Sequence, residues 1–105
     1  ASDFPWVIER IGTDRLTYAY AWKKLLNEGF DCAGGSDSPI EKMDPLLGIH
    51  AAVTRKSSID GQCYGAEEKL SLFEALRLFT YGSASAIGEE KVQGLKTMNY
   101  FKRKL

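Results

Sequence analysis

In the stretch AGGSDSPI, residues 33–40, an acid stands where an apolar run stops. Gly34 and Gly35 precede it, Ser36 and Ser38 flank it, and Pro39 follows. Asp37 could do chemistry in such a place, because α/β folds set ligands at the carboxyl ends of their strands. There a carboxylate serves as an oxygen ligand for a cation or as a proton acceptor. The two glycines would let the backbone bend sharply and leave room for a substrate. An aspartate ahead of a proline also has a purely local use, closing an Asx-turn or capping the bend. Local sequence leaves both readings open.

Other residues of chemical interest are weaker candidates. His50 is the sole histidine, and its neighbours one helical turn away are Leu46, Leu47, Val53 and Thr54. Metal ligation needs convergent partners and a catalytic zinc takes three protein ligands, so a surface or partly buried role is expected for His50. Glu67 with Glu68, and Glu89 with Glu90, read as solvated charges at helix ends. Cys32 and Cys63 are too few for a disulfide scaffold or a structural zinc site. Cys32 sits in an apolar run and is expected to be a buried free thiol. Tyr18, Tyr20 and Trp22 fall on diverging faces of a helix, which favours packing over a stacking platform. No Lys-Ser/Thr follows Gly34-Gly35, so they are no phosphate loop. Lys102, Arg103 and Lys104 read as a frayed basic terminus.

The elements that must position Asp37 come next. Residues 1–12 read as an irregular lead-in anchored by Trp6. Residues 13–29 read as one helix, capped by Thr13 or Asp14 and closed by Gly29. Residues 30–34, FDCAG, follow at once as a short strand. Asp44 as cap and Pro45 at the first position start a helix whose buried side is Leu46, Leu47, Ile49, Ala52 and Val53. After a polar loop, Ser71 and Glu74 match a capping box, and Leu70 could staple onto Ala75. That helix runs to Gly82, and SASAIGEE reads as a further short one. A lone strand leaves unpaired backbone groups on both edges, so this order asks for neighbours the chain does not supply.

At 105 residues, one small domain burying roughly 60–70% of its unfolded surface is expected. Fourteen basic and 14 acidic side chains balance, which gives no field to attract nucleic acid or an anionic membrane. No run reaches the ~20 apolar residues of a membrane span, and the first residues form no signal peptide. A cytoplasmic location is expected. The chain starts at Ala1 rather than Met, which suits a processed start or a piece of a longer chain.

The run GSDSPIEKMDPLLGIHAAVTR, followed by KLSLFEALRLFTYGSASAIGEE, resembles the carboxyl-terminal part of amidohydrolase-superfamily metal-dependent hydrolases. The branch it resembles is that of the YtcJ-like hydrolases and N-substituted formamide deformylases. The likeness covers residues 1–95 and is most specific over residues 35–55. The upstream segment RIGTDRLTYAYAWKKLLNEGF resembles that branch's final barrel helix.

The resemblance implies an α/β parent, with these residues as the last strand-helix units of a metal-dependent TIM barrel. This chain alone would be mainly α with one or two short strands. Asp37 would end the eighth strand as metal ligand and general base, taking a proton from water acidified by a divalent cation. Ser36 and Ser38 would stand around it as supporting or turn residues. Zinc is the metal expected in the parent, and none is expected to bind this part tightly. The family's His-x-His pair, carboxylated lysine and middle-strand histidines would lie before Ala1. Residues 96–105, KTMNYFKRKL, depart from the family pattern as a divergent basic tail. Two functions follow. One is a fragment of a C–N hydrolase for small-molecule amides, inactive alone and completed by the remainder of the barrel. The other is a stand-alone small helical protein that works by self-association or partner binding.

Overall fold

A computed structural model describes residues 2–93; the tail at residues 96–105 lies outside them. The first element, α1, spans Phe4–Ile11, where an irregular lead-in was expected. Asp3 precedes it and Pro5 stands in its first turn, where the missing N–H is no loss. Phe4 and Val7, one turn apart, face inward, while Trp6 is 51% exposed.

The helix expected over residues 13–29 is broken in two. A 3₁₀ segment covers Thr13–Tyr18, and α2 covers Trp22–Asn27. Between them Tyr20 adopts φ +53°. The physical cause is Arg55. Its Nη1 donates to the Tyr20 carbonyl at 2.8 Å and its Nη2 to the Ala19 carbonyl at 3.4 Å. Those two acceptors are turned away from the helix ladder that would otherwise use them. Gly29, at φ +85°, closes α2 as expected. Its N–H reaches Leu26 O and that of Phe30 reaches Leu25 O, the paired bonds of a Schellman end.

The third helix, α3, spans Pro45–Thr54, and the Asp44 carboxylate accepts the Leu46 N–H at 2.9 Å. Ile49 is buried, but Leu46 and Leu47, expected inside, are 67% and 49% exposed. Arg55 ends α3 in the left-handed region at φ +56°. A 3₁₀ turn at Ala66–Glu68 leads to α4, Leu72–Arg77. Ser71 and Glu74 form the full capping box, with bonds of 2.7 and 3.1 Å. The chain then runs without interruption through a π turn, Leu78–Gly82, into α5, Ser83–Ala86.

Ile49, Leu70, Ala75, Leu76 and Leu78 form the core, with Leu26, Cys32, Ala52, Val53 and Phe79 packed around it. Leu70 and Ala75 both lie in it, as the staple requires. Arg55 is the one large side chain fully buried among the described residues, at 1% exposure. Its Nε donates to Tyr64 O at 2.9 Å, and its guanidinium lies 4.6 Å from the Phe4 ring centre. Burial pulls its pKa down, while the charges of Glu68 and Glu67 act to hold it up. Glu68 is itself buried, contrary to the expectation of a solvated charge, and accepts the Lys24 N–H at 3.0 Å. It thereby satisfies a donor in the first turn of α2.

The strand expected at residues 30–34 is not formed. Among the described residues there is no strand, only an isolated antiparallel bridge between Lys56 and Cys63. With no second strand beside it, the segment docks on the π turn instead. The Gly34 N–H donates to Leu78 O at 3.0 Å. The Ser83 hydroxyl lies 2.9 Å from Gly34 O and 3.1 Å from Leu78 O. A Cβ on Gly82 would stand 2.2 Å from Cys32 O, so only glycine allows this approach. Phe79 fills the space left by two further glycines. Added Cβ atoms would meet its ring at 2.7 Å from Gly34 and 2.4 Å from Gly48. Gly34 therefore makes room for Phe79, not for a substrate.

Arg55→Met is expected to lower unfolding stability by about 3 kcal/mol or more, because three backbone carbonyls lose buried donors. Urea unfolding followed by circular dichroism measures it, and a loss below about 1 kcal/mol would contradict the role assigned to Arg55. The neighbouring glycines give a paired check. Gly34→Ala overpacks against Phe79 and is expected to cost about 1–3 kcal/mol. Gly35, with open space where a Cβ would go, should tolerate alanine within about 0.5 kcal/mol. Equal melting temperatures for the two variants would count against the docked segment.

Candidate active-site residues

Asp37 follows directly from the docked segment. Once Gly34 is fixed to the π turn, the next residues leave the body of the protein and turn back. The Ile40 N–H donates to Asp37 O at 2.9 Å and the Glu41 N–H to Ser36 O at 3.2 Å. The Ser38–Pro39 peptide bond is cis. Asp37 itself holds φ +50°, a conformation rare outside glycine but reached by aspartate more readily than by most residues.

The turn is closed by main-chain bonds. The Asp37 carboxylate accepts no hydrogen bond from any described residue, and the side chain is exposed. An Asx-turn made by this side chain is therefore not what shapes the bend. A left-handed aspartate with an uncommitted carboxylate can offer both oxygens to something outside the described residues. Ser36 is half-buried and Ser38 is exposed. They flank Asp37 along the chain, and neither hydroxyl bonds to it.

The downstream end of the turn has its own anchor. Glu41 Oε1 accepts from the Ser2 N–H at 3.0 Å and from the Ser2 hydroxyl at 2.7 Å. These two donors pull the Glu41 carboxyl below its ordinary 4.5. The link spans 39 residues and ties the turn to the start of α1.

The remaining candidates lie apart from Asp37. His50 is exposed on α3, and its carbonyl accepts from the Thr54 hydroxyl at 2.8 Å. Cys32 is half-buried against the core and Cys63 is exposed. Tyr20 packs edge-on to Phe4 at 5.5 Å, as expected of a packing aromatic, whereas Tyr18 is 75% exposed. A cavity of about 350 Å³ opens between α2 and the α4–α5 run, lined by Leu26, Phe30, Cys32, Arg77 and Tyr81 among others. Asp37 does not line it. Among the described residues no three His, Cys, Asp or Glu side chains come together to hold a metal. No described helix is long and apolar enough to cross a membrane. Lys102, Arg103 and Lys104 lie outside the described residues.

Sequence reasoning missed Arg55, Glu41 and Glu68. All three act across 35 or more residues, at Tyr20, Ser2 and Lys24, and leave no local pattern.

The sequence model described as the amidohydrolase family matches residues 1–95. YtcJ of Bacillus subtilis strain 168, named for the amidohydrolases, is 56% identical over 96 residues, covering 90% of this chain and 18% of its own length. The crystal structure of an uncharacterized metal-dependent hydrolase from Pyrococcus horikoshii superposes with a TM-score of 0.72 at 34% identity, over 89% of this chain and 19% of that one. A second such hydrolase, from Pyrococcus furiosus, gives 0.67 at 37% identity, over 85% and 17%. The chain spans less than a fifth of the length of each of these relatives. It matches them along nearly all of its described length, and it belongs to the amidohydrolase family.

Proposed function

We propose that this chain is part of a metal-dependent hydrolase that cleaves carbon–nitrogen bonds in non-peptide amides, with Asp37 as its contribution to the active site. The observation that carries the reading is the Asp37 carboxylate, held out at φ +50° on a turn closed without it. Support comes from relatives named as amidohydrolases and metal-dependent hydrolases. In this role Asp37 is a metal ligand and the proton acceptor of the reaction, and Ser36 and Ser38 support it.

The residues present do not build a metal centre. Among the described residues Asp37 has no companion ligands, and a catalytic zinc takes three from the protein. Zinc, the proposed metal of the whole enzyme, then has its other ligands and its small-molecule amide substrate in parts of the barrel that precede this one. Alone, the chain is inactive and works in the cytoplasm only as completed by that remainder.

A second reading is favoured by the exposed apolar side chains of Ile40 (71%), Met43 (77%) and Leu46 (67%). They suit a stand-alone helical protein that covers them by self-association. Sedimentation velocity separates the two: a folded, discrete dimer or tetramer supports this second reading, and an aggregating or unstable chain the first.

The hydrolase reading is tested with zinc and amide substrates. After dialysis against zinc, the chain alone should retain far less than one ion and hydrolyse no N-formyl or N-acyl amine. Joined to the upstream part of a family member it should gain turnover, which Asp37→Asn lowers by roughly 10²–10⁴-fold, the scale of a lost general base. Stoichiometric zinc and Asp37-dependent hydrolysis by the chain alone would contradict the proposal.

A further inference from the structure

A carboxylate that must meet a cation or a proton has to be held within about 0.5 Å of its working position. Asp37 stands in a left-handed conformation that is uncommon outside glycine and gains from support on both sides. Upstream, the Gly34 N–H, Ser83 and the Phe79 ring supply that restraint. Downstream, burial supplies none: Ile40 and Met43 are 71% and 77% exposed, and Lys42 is exposed as well. What holds this side is Glu41. Its own N–H closes the turn on Ser36 O, and its carboxylate grips both donors of Ser2.

We infer that Glu41 is a positioning residue for Asp37, its carboxylate mooring the far end of the turn to the start of α1. The inference rests on the hydrolase reading of Asp37. Bonds from an N–H and a hydroxyl to a carboxylate are charge-assisted and about twice as strong as neutral ones. They also reach a rigid partner, since Phe4, two residues beyond Ser2, is buried against the Arg55 guanidinium. The turn is thus clamped at two points of the fold, the π turn and the head of α1. Asp37 projects between the clamps.

The test is nuclear magnetic resonance on the chain joined to the upstream part of a family member, with Glu41→Ala and Glu41→Gln. The buffer is metal-free, and this chain's residues alone are isotopically labelled. Hydrogen exchange at the Ile40 amide reads closure of the turn. The Asp37 Cα and Cβ shifts read its left-handed backbone, and the Arg55 and Ala75 amides read the body of the fold. In Glu41→Ala the Ile40 amide should exchange about tenfold faster or more, the scale of a lost charged hydrogen bond. The left-handed signature of Asp37 should disappear while Arg55 and Ala75 keep their protection. Glu41→Gln retains an acceptor oxygen and should recover most of both signals. Unchanged Ile40 exchange and Asp37 shifts in Glu41→Ala would overturn the inference. So would equal acceleration at Arg55 and Ala75, which would mark a general role in stability. No metal or substrate enters this readout, so its failure removes Glu41 alone and leaves the role of Asp37 to the zinc experiment.

Discussion

The buried guanidinium of Arg55 is the interaction on which the rest of the structure depends. A charge this deeply placed is costly unless it is hydrogen-bonded and otherwise compensated. Here the donors reach Tyr64 O, Tyr20 O and Ala19 O, and the flat face meets Phe4. One side chain therefore ties the end of α3 to α1, to the break before α2 and to the loop before α4. Without it, the left-handed Tyr20 and Arg55 would have no compensation for their strain.

The same network reaches the candidate site in two steps. Arg55 seats Phe4 and with it the head of α1, and Ser2 at that head receives the Glu41 carboxylate. On the other flank, α3 and the π turn close on Phe79, and the glycines at 34, 48 and 82 allow the close approaches. Widened turns of this kind occur often at functional sites. Here the π turn presents Leu78 O to Gly34, where a strand in a sheet would have used a neighbour. Asp37 is exposed, yet both ends of its turn are fixed to the body.

What the sequence discloses divides along physical lines. Helix starts that depend on side chains two or three residues away are legible. Asp44 with Pro45, and Ser71 with Glu74, act as their types suggest. Gly29 ends α2 for the same reason. The long helix over residues 13–29 looks sound by periodicity, but a distant arginine takes its carbonyls at Ala19 and Tyr20, and nothing nearby betrays that. The segment at residues 30–34 has the composition of a strand, and a strand needs a partner to become one. Leu46 and Leu47 have the spacing of a buried face, yet within the described residues nothing covers them. Asp37 is readable as a candidate from its glycines and serines. Its left-handed backbone, and the Glu41 anchor that accompanies it, are not.

In the proposed function, the carboxylate at position 37 joins a metal site finished by residues outside this chain. A crystal structure of the chain joined to the upstream part of a family member, grown with zinc, tests it most directly. The expected result is an Asp37 carboxylate oxygen about 2.0–2.2 Å from the ion. A zinc with a full ligand set and Asp37 turned away into solvent would contradict it.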